Sequence, residues 1–132
     1  MSGNVRLQGR RILVVEDEAA VSLMLEDLLT AAGATVVGPA ADTATALALA
    51  QAEPIDCAVI DYALAGGTSL PVADALLNRG IPFLFASGYD AAGIDRRYAR
   101  IPRLEKVYTS DELLQMVEKL MAGSPAGQPV QM

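Results

Sequence analysis

The sequence predicts an α/β protein in which a parallel sheet is covered by helices on both faces. Two observations carry that prediction. Short apolar runs rich in β-branched residues alternate with segments of helical spacing, strand then helix, five times over, which is the order of a parallel α/β sheet. The 132 residues suit one domain, and the 52% hydrophobic content, with only 5% aromatic, supplies a core built from aliphatic side chains.

Taken in order, residues 1–9 read as a flexible lead, 10–122 as the domain, and 123–132, rich in proline, glycine and glutamine, as a disordered tail. Ile12-Leu13-Val14-Val15 is the first strand and ends abruptly in Glu16-Asp17-Glu18. From Ala19 to Ala32, Val21, Met24, Leu25, Leu28 and Leu29 recur at helical spacing, and Gly33 stops the helix. Ala34-Thr35-Val36-Val37-Gly38-Pro39 makes a second strand, ended by its glycine and proline. Asp42 caps an alanine-rich helix from Thr43 to about Ala52. The third strand begins at Ile55-Asp56-Cys57, just after Pro54, and runs through Ala58-Val59-Ile60 to Asp61, and Ala65-Gly66-Gly67-Thr68-Ser69 marks the loop after it.

Ser69 is placed to cap a helix with Pro71 in its first turn, ending before Gly80. Ile81 to Ala86 is the fourth strand, running into Ser87-Gly88-Tyr89. The stretch Asp90–Pro102 has poor apolar periodicity and reads as a short or mobile helix. Arg103 to Lys106 is a short fifth strand, and Thr109 with Glu112 forms a capping box. The final helix carries an apolar stripe of Leu113, Leu114, Val117, Leu120 and Met121.

Composition narrows the function. A net charge of −6 argues against general nucleic-acid binding. Half of the ten basic residues lie at Arg96, Arg97, Arg100, Arg103 and Lys106, most simply a solvated face. No apolar run approaches the ~20 residues of a membrane-spanning helix, and the start lacks an apolar signal core, so a cytoplasmic protein is expected. With no histidine in the chain, serine–histidine and cysteine–histidine catalysis are excluded within it. Cys57 has no second cysteine to pair with.

The chemistry concentrates where strands end. With a flavodoxin-like order 2-1-3-4-5, strands one and three are neighbours ~4.8 Å apart, and ligands bind at the carboxyl ends of such strands. Glu16, Asp17 and Asp61 then converge on one rim. A self-repelling carboxylate cluster is tolerable when a hard divalent cation sits among its oxygens, and magnesium suits that role. Ser87 ends strand four and Lys106 ends strand five. Carboxylates, a cation, a hydroxyl and an ammonium suit a phosphoryl group, with Asp61 as nucleophile.

The ordered set Val14-Val15-Glu16-Asp17-Glu18, Val59-Ile60-Asp61, Ser87 and Lys106 resembles the receiver domain of bacterial two-component response regulators, from about Arg10 to Ala122. Carried over by position, the resemblance implies Asp61 as phosphoacceptor and Glu16 and Asp17 as the acidic pair holding Mg²⁺. It implies the backbone carbonyl of Ala63 as a further metal ligand, Ser87 as switch hydroxyl and Lys106 as phosphate contact. Pro82-Phe83-Leu84-Phe85-Ala86-Ser87-Gly88-Tyr89 is similar to the stand-alone receiver subgroup with a phenylalanine-alanine-threonine-glycine motif, serine replacing threonine. Partners implied are a sensor histidine kinase or phosphotransfer protein and a downstream protein of unknown identity, with no nucleic acid and no membrane. The protein itself is expected to be a monomer or weak homodimer.

Two residues depart from the pattern. Val107 stands where receivers usually have proline after the lysine. A cis bond before valine costs ~2.5–4 kcal/mol, against ~0.5–1 kcal/mol for proline, so a trans Lys106-Val107 bond and a displaced lysine are expected. Arg103 occupies the usual aromatic switch position. Tyr89 and Tyr108 are the candidate substitutes.

Three other functions compete. A haloacid-dehalogenase-type phosphatase needs a second aspartate where Ala63 stands. A nucleotide-binding module lacks its glycine pattern in the acidic first loop. A degenerate receiver would keep the fold and bind partners without phosphate. The chain ends soon after its last helix, so output is expected through partner binding or through draining phosphate from a kinase.

Overall fold

The structure is a computed structural model that describes residues 6–64, 67–87 and 98–123. The elements run β1 (Arg11–Val15), α1 (Ala19–Ala31), β2 (Thr35–Ala40), α2 (Thr43–Ala52), β3 (Cys57–Asp61), β4 (Ala63–Leu64), β5 (Gly67–Thr68), α3 (Leu70–Arg79), β6 (Phe83–Ser87), β7 (Arg103–Glu105) and α4 (Ser110–Gly123). Five strands form one parallel sheet in the order β2-β1-β3-β6-β7, and β4 and β5 pair as a small antiparallel hairpin. Counted along the main sheet alone, that is the expected order 2-1-3-4-5.

The pleat sends alternate residues to opposite faces. Ile12, Val14, Cys57, Val59, Leu84 and Ala86 pack with Leu25 and Leu29 of α1 and Leu113 and Val117 of α4. Leu13, Val15, Ala58, Ile60, Phe83 and Phe85 pack with Ala46 and Ala50 of α2 and Val72 and Leu76 of α3. Strands buried from both sides can be apolar at every position, which is why β3 reads as an unbroken apolar run until its last residue. The second core holds an edge-to-face aromatic chain: Phe85 lies 5.8 Å from Tyr62, 5.6 Å from Phe83 and 6.2 Å from Tyr98. The Tyr98 hydroxyl donates to Asp74 of α3.

Most expected caps are present. Asp42 accepts from the Thr45 amide at 2.8 Å, and Thr109 and Glu112 exchange bonds of 2.8 and 3.1 Å. Ser69 sits at the start of α3 but does not cap it through its side chain. Its hydroxyl instead donates to the Tyr62 carbonyl at 3.3 Å, tying α3 to the end of β3.

Three expectations are corrected. The described part of the lead, residues 6–9, is packed. Leu7 is fully buried, its amide donates to the Ala32 carbonyl at 2.8 Å, and Arg6 pairs with Glu118 of α4 at 2.6 Å. One buried leucine in a polar stretch has no periodicity to announce it. Gly38-Pro39 does not end the second strand, because β2 continues through both to Ala40 by way of a cis Gly38-Pro39 bond and a register shift against β1. As an edge strand it tolerates proline's missing amide. The Lys106-Val107 bond is cis, not trans, and Lys106 is not displaced, as the site below shows. Lys106 is held by ion pairs to Glu16 and Asp61, which lie far from it in sequence. The expected helix over Asp90–Pro102 falls largely on residues 88–97, outside the described residues, as do Tyr89 and the tail from 124.

Candidate functional site

The register of three strands brings the site residues to one rim. Val15 pairs with Ile60, so Glu16 and Asp61 leave adjacent strands at the same level. Asp61 pairs with Ala86, and Ser87, the last residue of β6, pairs with Glu105 of β7. Lys106 follows directly. Four chain segments far apart in sequence thus end together, as parallel strands of similar length must.

Glu16 is held at both ends. Its amide donates to the Ala40 carbonyl at 2.9 Å, and its Oε2 accepts from the Glu18 amide at 3.2 Å. Asp61 Oδ1 accepts from the Ala63 amide at 3.2 Å, so the turn into β4 orients the carboxylate. Glu16 and Asp61 are only 2% and 7% exposed, whereas Asp17 is open to solvent. One carboxylate oxygen from each of the three lies within 4.8 Å of the others. Lys106 Nζ bridges the two buried ones, 2.9 Å from Glu16 Oε1 and 3.1 Å from Asp61 Oδ2. Glu18 Oε1 is 4.0 Å from the same nitrogen.

The electrostatics follow from burial and neighbours. Burial pushes the Glu16 carboxyl above its ordinary value, the Lys106 and Glu18-amide hydrogen bonds pull it down, and the Asp61 charge adds to the rise. Burial alone would lower the Lys106 ammonium, but bonds to Glu16 and Asp61 outweigh it and carry the group up to about 12. The ammonium bridges the two buried carboxylates, Glu16 and Asp61. A donor set made wholly of hard oxygens fits magnesium, with Glu16, Asp17 and Asp61 as the side chains that would hold it.

Asp61, Glu16 and Asp17 are brought together, Lys106 joins them instead of lying displaced, Ala63 follows Asp61 within two residues, and Ser87 ends β6 at the same rim. Sequence reading placed Lys106 as a phosphate contact but did not foresee its bridge to Glu16. It also missed the chain from Tyr62, beside Asp61, through Phe85 to Tyr98. The signal available was the aromatic spacing of Phe83 and Phe85, which reads equally well as plain core.

No protein-family model and no curated protein matches this chain. Solved structures do. SdrG from Sphingomonas melonis Fr1 is 39% identical, with 92% of this chain and 99% of that one covered at a TM-score of 0.75. The BeF₃-activated conformation of SdrG, from Pseudomonas melonis Fr1, is 40% identical over 86% of this chain and 98% of that one, TM-score 0.70. A CheY-like response regulator receiver domain protein from Methanospirillum hungatei JF-1 is 20% identical with 92% and 100% covered at a TM-score of 0.82, a likeness of fold. The response regulator TrrA from Thermotoga maritima, in complex with Mg²⁺-BeF, is 24% identical with 84% and 98% covered at 0.75, again a likeness of fold. Sheet order, the acidic rim bridged by lysine and the near-complete match to SdrG together identify this chain as a member of the receiver domains of response regulators.

Proposed function

We propose that this receiver accepts a phosphoryl group on Asp61 from a histidine kinase or histidine phosphotransfer protein, and signals by binding a downstream protein in the phosphorylated state or by draining phosphate from a kinase. The observation that carries the reading is the bridge of Lys106 Nζ between Asp61 and Glu16 at 3.1 and 2.9 Å. An ammonium placed there pairs with an oxygen of the nucleophile and stands ready to pair with a phosphoryl oxygen.

In the step itself, an Asp61 carboxylate oxygen forms the bond to phosphorus as the bond from phosphorus to the donor's imidazole nitrogen breaks. The electron pair of that bond leaves with the imidazole. Glu16 and Asp17, with Asp61 and the Ala63 carbonyl, would hold Mg²⁺, which when bound offsets charge on the transferring group. Lys106, paired with Glu16 and Asp61, would offset more of it, and Ser87, at the end of β6, is the candidate switch hydroxyl. SdrG, solved in a BeF₃-activated conformation, supports a phosphoryl-accepting reading. A receiver that never takes phosphate was a competing reading because of Val107 and Arg103. The contact of Lys106 with Asp61 supports the phosphate-accepting reading over that one.

Intact-mass measurement tests the proposal. Acetyl phosphate or a kinase with Mg²⁺ adds one phosphoryl group to the wild type and none to Asp61→Asn, and chelating the metal blocks the gain. No gain in the wild type, or an equal gain in the variant, overturns the reading.

A further inference from the structure

α4 buries Leu113, Leu114 and Val117 in the core beneath it. A second face of the same helix is left uncovered: Glu112, Gln115 and Lys119 are exposed and Met116 is half-buried. These four fall at i, i+3, i+4 and i+7, which sets them in one row along the helix. With Leu104 of β7 they line a cavity of about 270 Å³. β7 is the last strand of the sheet, so the cavity lies where the sheet ends.

The charges on this face are unspent. Among the described residues Lys119 has no ion-pair partner. Glu112 gives one oxygen to the Thr109 amide at 2.8 Å, and no described cation pairs with it. The row reads acid, amide, thioether, base, and it is complementary to its own reverse. Laid antiparallel on a second copy, with a two-fold axis passing between Gln115 and Met116, it sets Glu112 against Lys119 at one end and Lys119 against Glu112 at the other. The two ends stand seven residues apart, about 10 Å of helix. Parallel packing would set like charges together. A two-fold contact needs a face that matches itself in this way.

We propose that two copies of the chain associate through this face, with α4 antiparallel to α4, Met116 and Leu104 packed at the centre and a Glu112–Lys119 pair at each end. The inference is independent of the phosphotransfer proposed above. A stable interface takes ~20–30 residues a side, and this face is smaller, so the dimer is weak and depends on concentration.

Sedimentation equilibrium of the full chain from micromolar to millimolar concentration tests it. Physiological ionic strength screens the mutual repulsion of two chains of net charge −6. The average mass of the wild type rises with concentration toward twice the monomer. Lys119→Glu sets acid against acid at both ends and weakens association about tenfold. Glu112→Lys sets base against base and does the same, with a melting curve to confirm that it is folded. Mixed in equal amounts, the two variants restore opposite charges at both ends and associate as the wild type does. Glu112→Gln keeps an oxygen for the Thr109 amide and weakens association a few-fold, so the result does not hang on the lysine variant folding. A wild type that stays monomeric at every concentration overturns the inference and leaves the groove to a different protein. Wild-type association of Lys119→Glu, or a mixture of the two folded variants that stays monomeric, overturns it as well.

Discussion

At Lys106 one ammonium serves two buried carboxylates. Its loss leaves Glu16, only 2% exposed, facing Asp61 with no cation between them. Removing one member of a buried pair costs more than the pair contributes, because the survivor stays desolvated. Lys106→Ala is therefore expected to destabilise the metal-free protein by roughly 1–3 kcal/mol. It is also expected to gain more from added Mg²⁺ than the wild type does, since a dication then takes up charge that the ammonium had met. Melting curves with and without Mg²⁺ check both halves, and equal Mg²⁺ gains in the two proteins would contradict the electrostatic account. Asp61 and Glu16 were legible in the sequence because a carboxylate ending an apolar strand is costly without a partner. The Lys106 geometry was not, because it depends on ion pairs across 45 and 90 residues of sequence rather than on its own neighbours.

Among the elements, β3 and α4 were easiest to read. Their apolar patterns match a doubly buried strand and a one-sided helix. β2 was half legible. Its apolar start is plain, but Gly38-Pro39 reads locally as a stop, and only pairing with β1 carries the strand on to Ala40. Gly38 is needed there. Its φ is +95°, and a Cβ would lie 2.8 Å from the Ala40 nitrogen and 3.2 Å from the Val14 carbonyl oxygen. Because the Ala40 carbonyl in turn holds the Glu16 amide, the bend bears on the site. Gly38→Ala is expected to cost about 1–3 kcal/mol through a strained backbone, read from denaturant midpoints at unchanged slope. A variant as stable as the wild type would show that β2 adapts without strain.

Across the whole molecule, the layers follow from alternation of strand and helix, while its edges do not. Leu7 shows this. Residues 6–9 carry too little pattern to read as structure, yet Leu7 fills the space beside Ala32, and Arg6 reaches Glu118 and Asp111 of α4. The segment thereby joins the end of α1 to the last helix. Leu7→Ala is expected to destabilise by about 2–5 kcal/mol, as for other buried leucines, in an equilibrium unfolding experiment. A change below the range of surface substitutions would return the segment to the role of a loose lead. No described helix is long and apolar enough to cross a membrane. The central claim is that side chains from separate strands are held together because a dication and a phosphoryl group complete them. The most direct test is a crystal structure with Mg²⁺ and fluoroberyllate. The account predicts one ion held by Glu16, Asp17 and Asp61, and beryllium on an Asp61 oxygen within reach of Lys106. Carboxylates turned apart with no ion between them would contradict it.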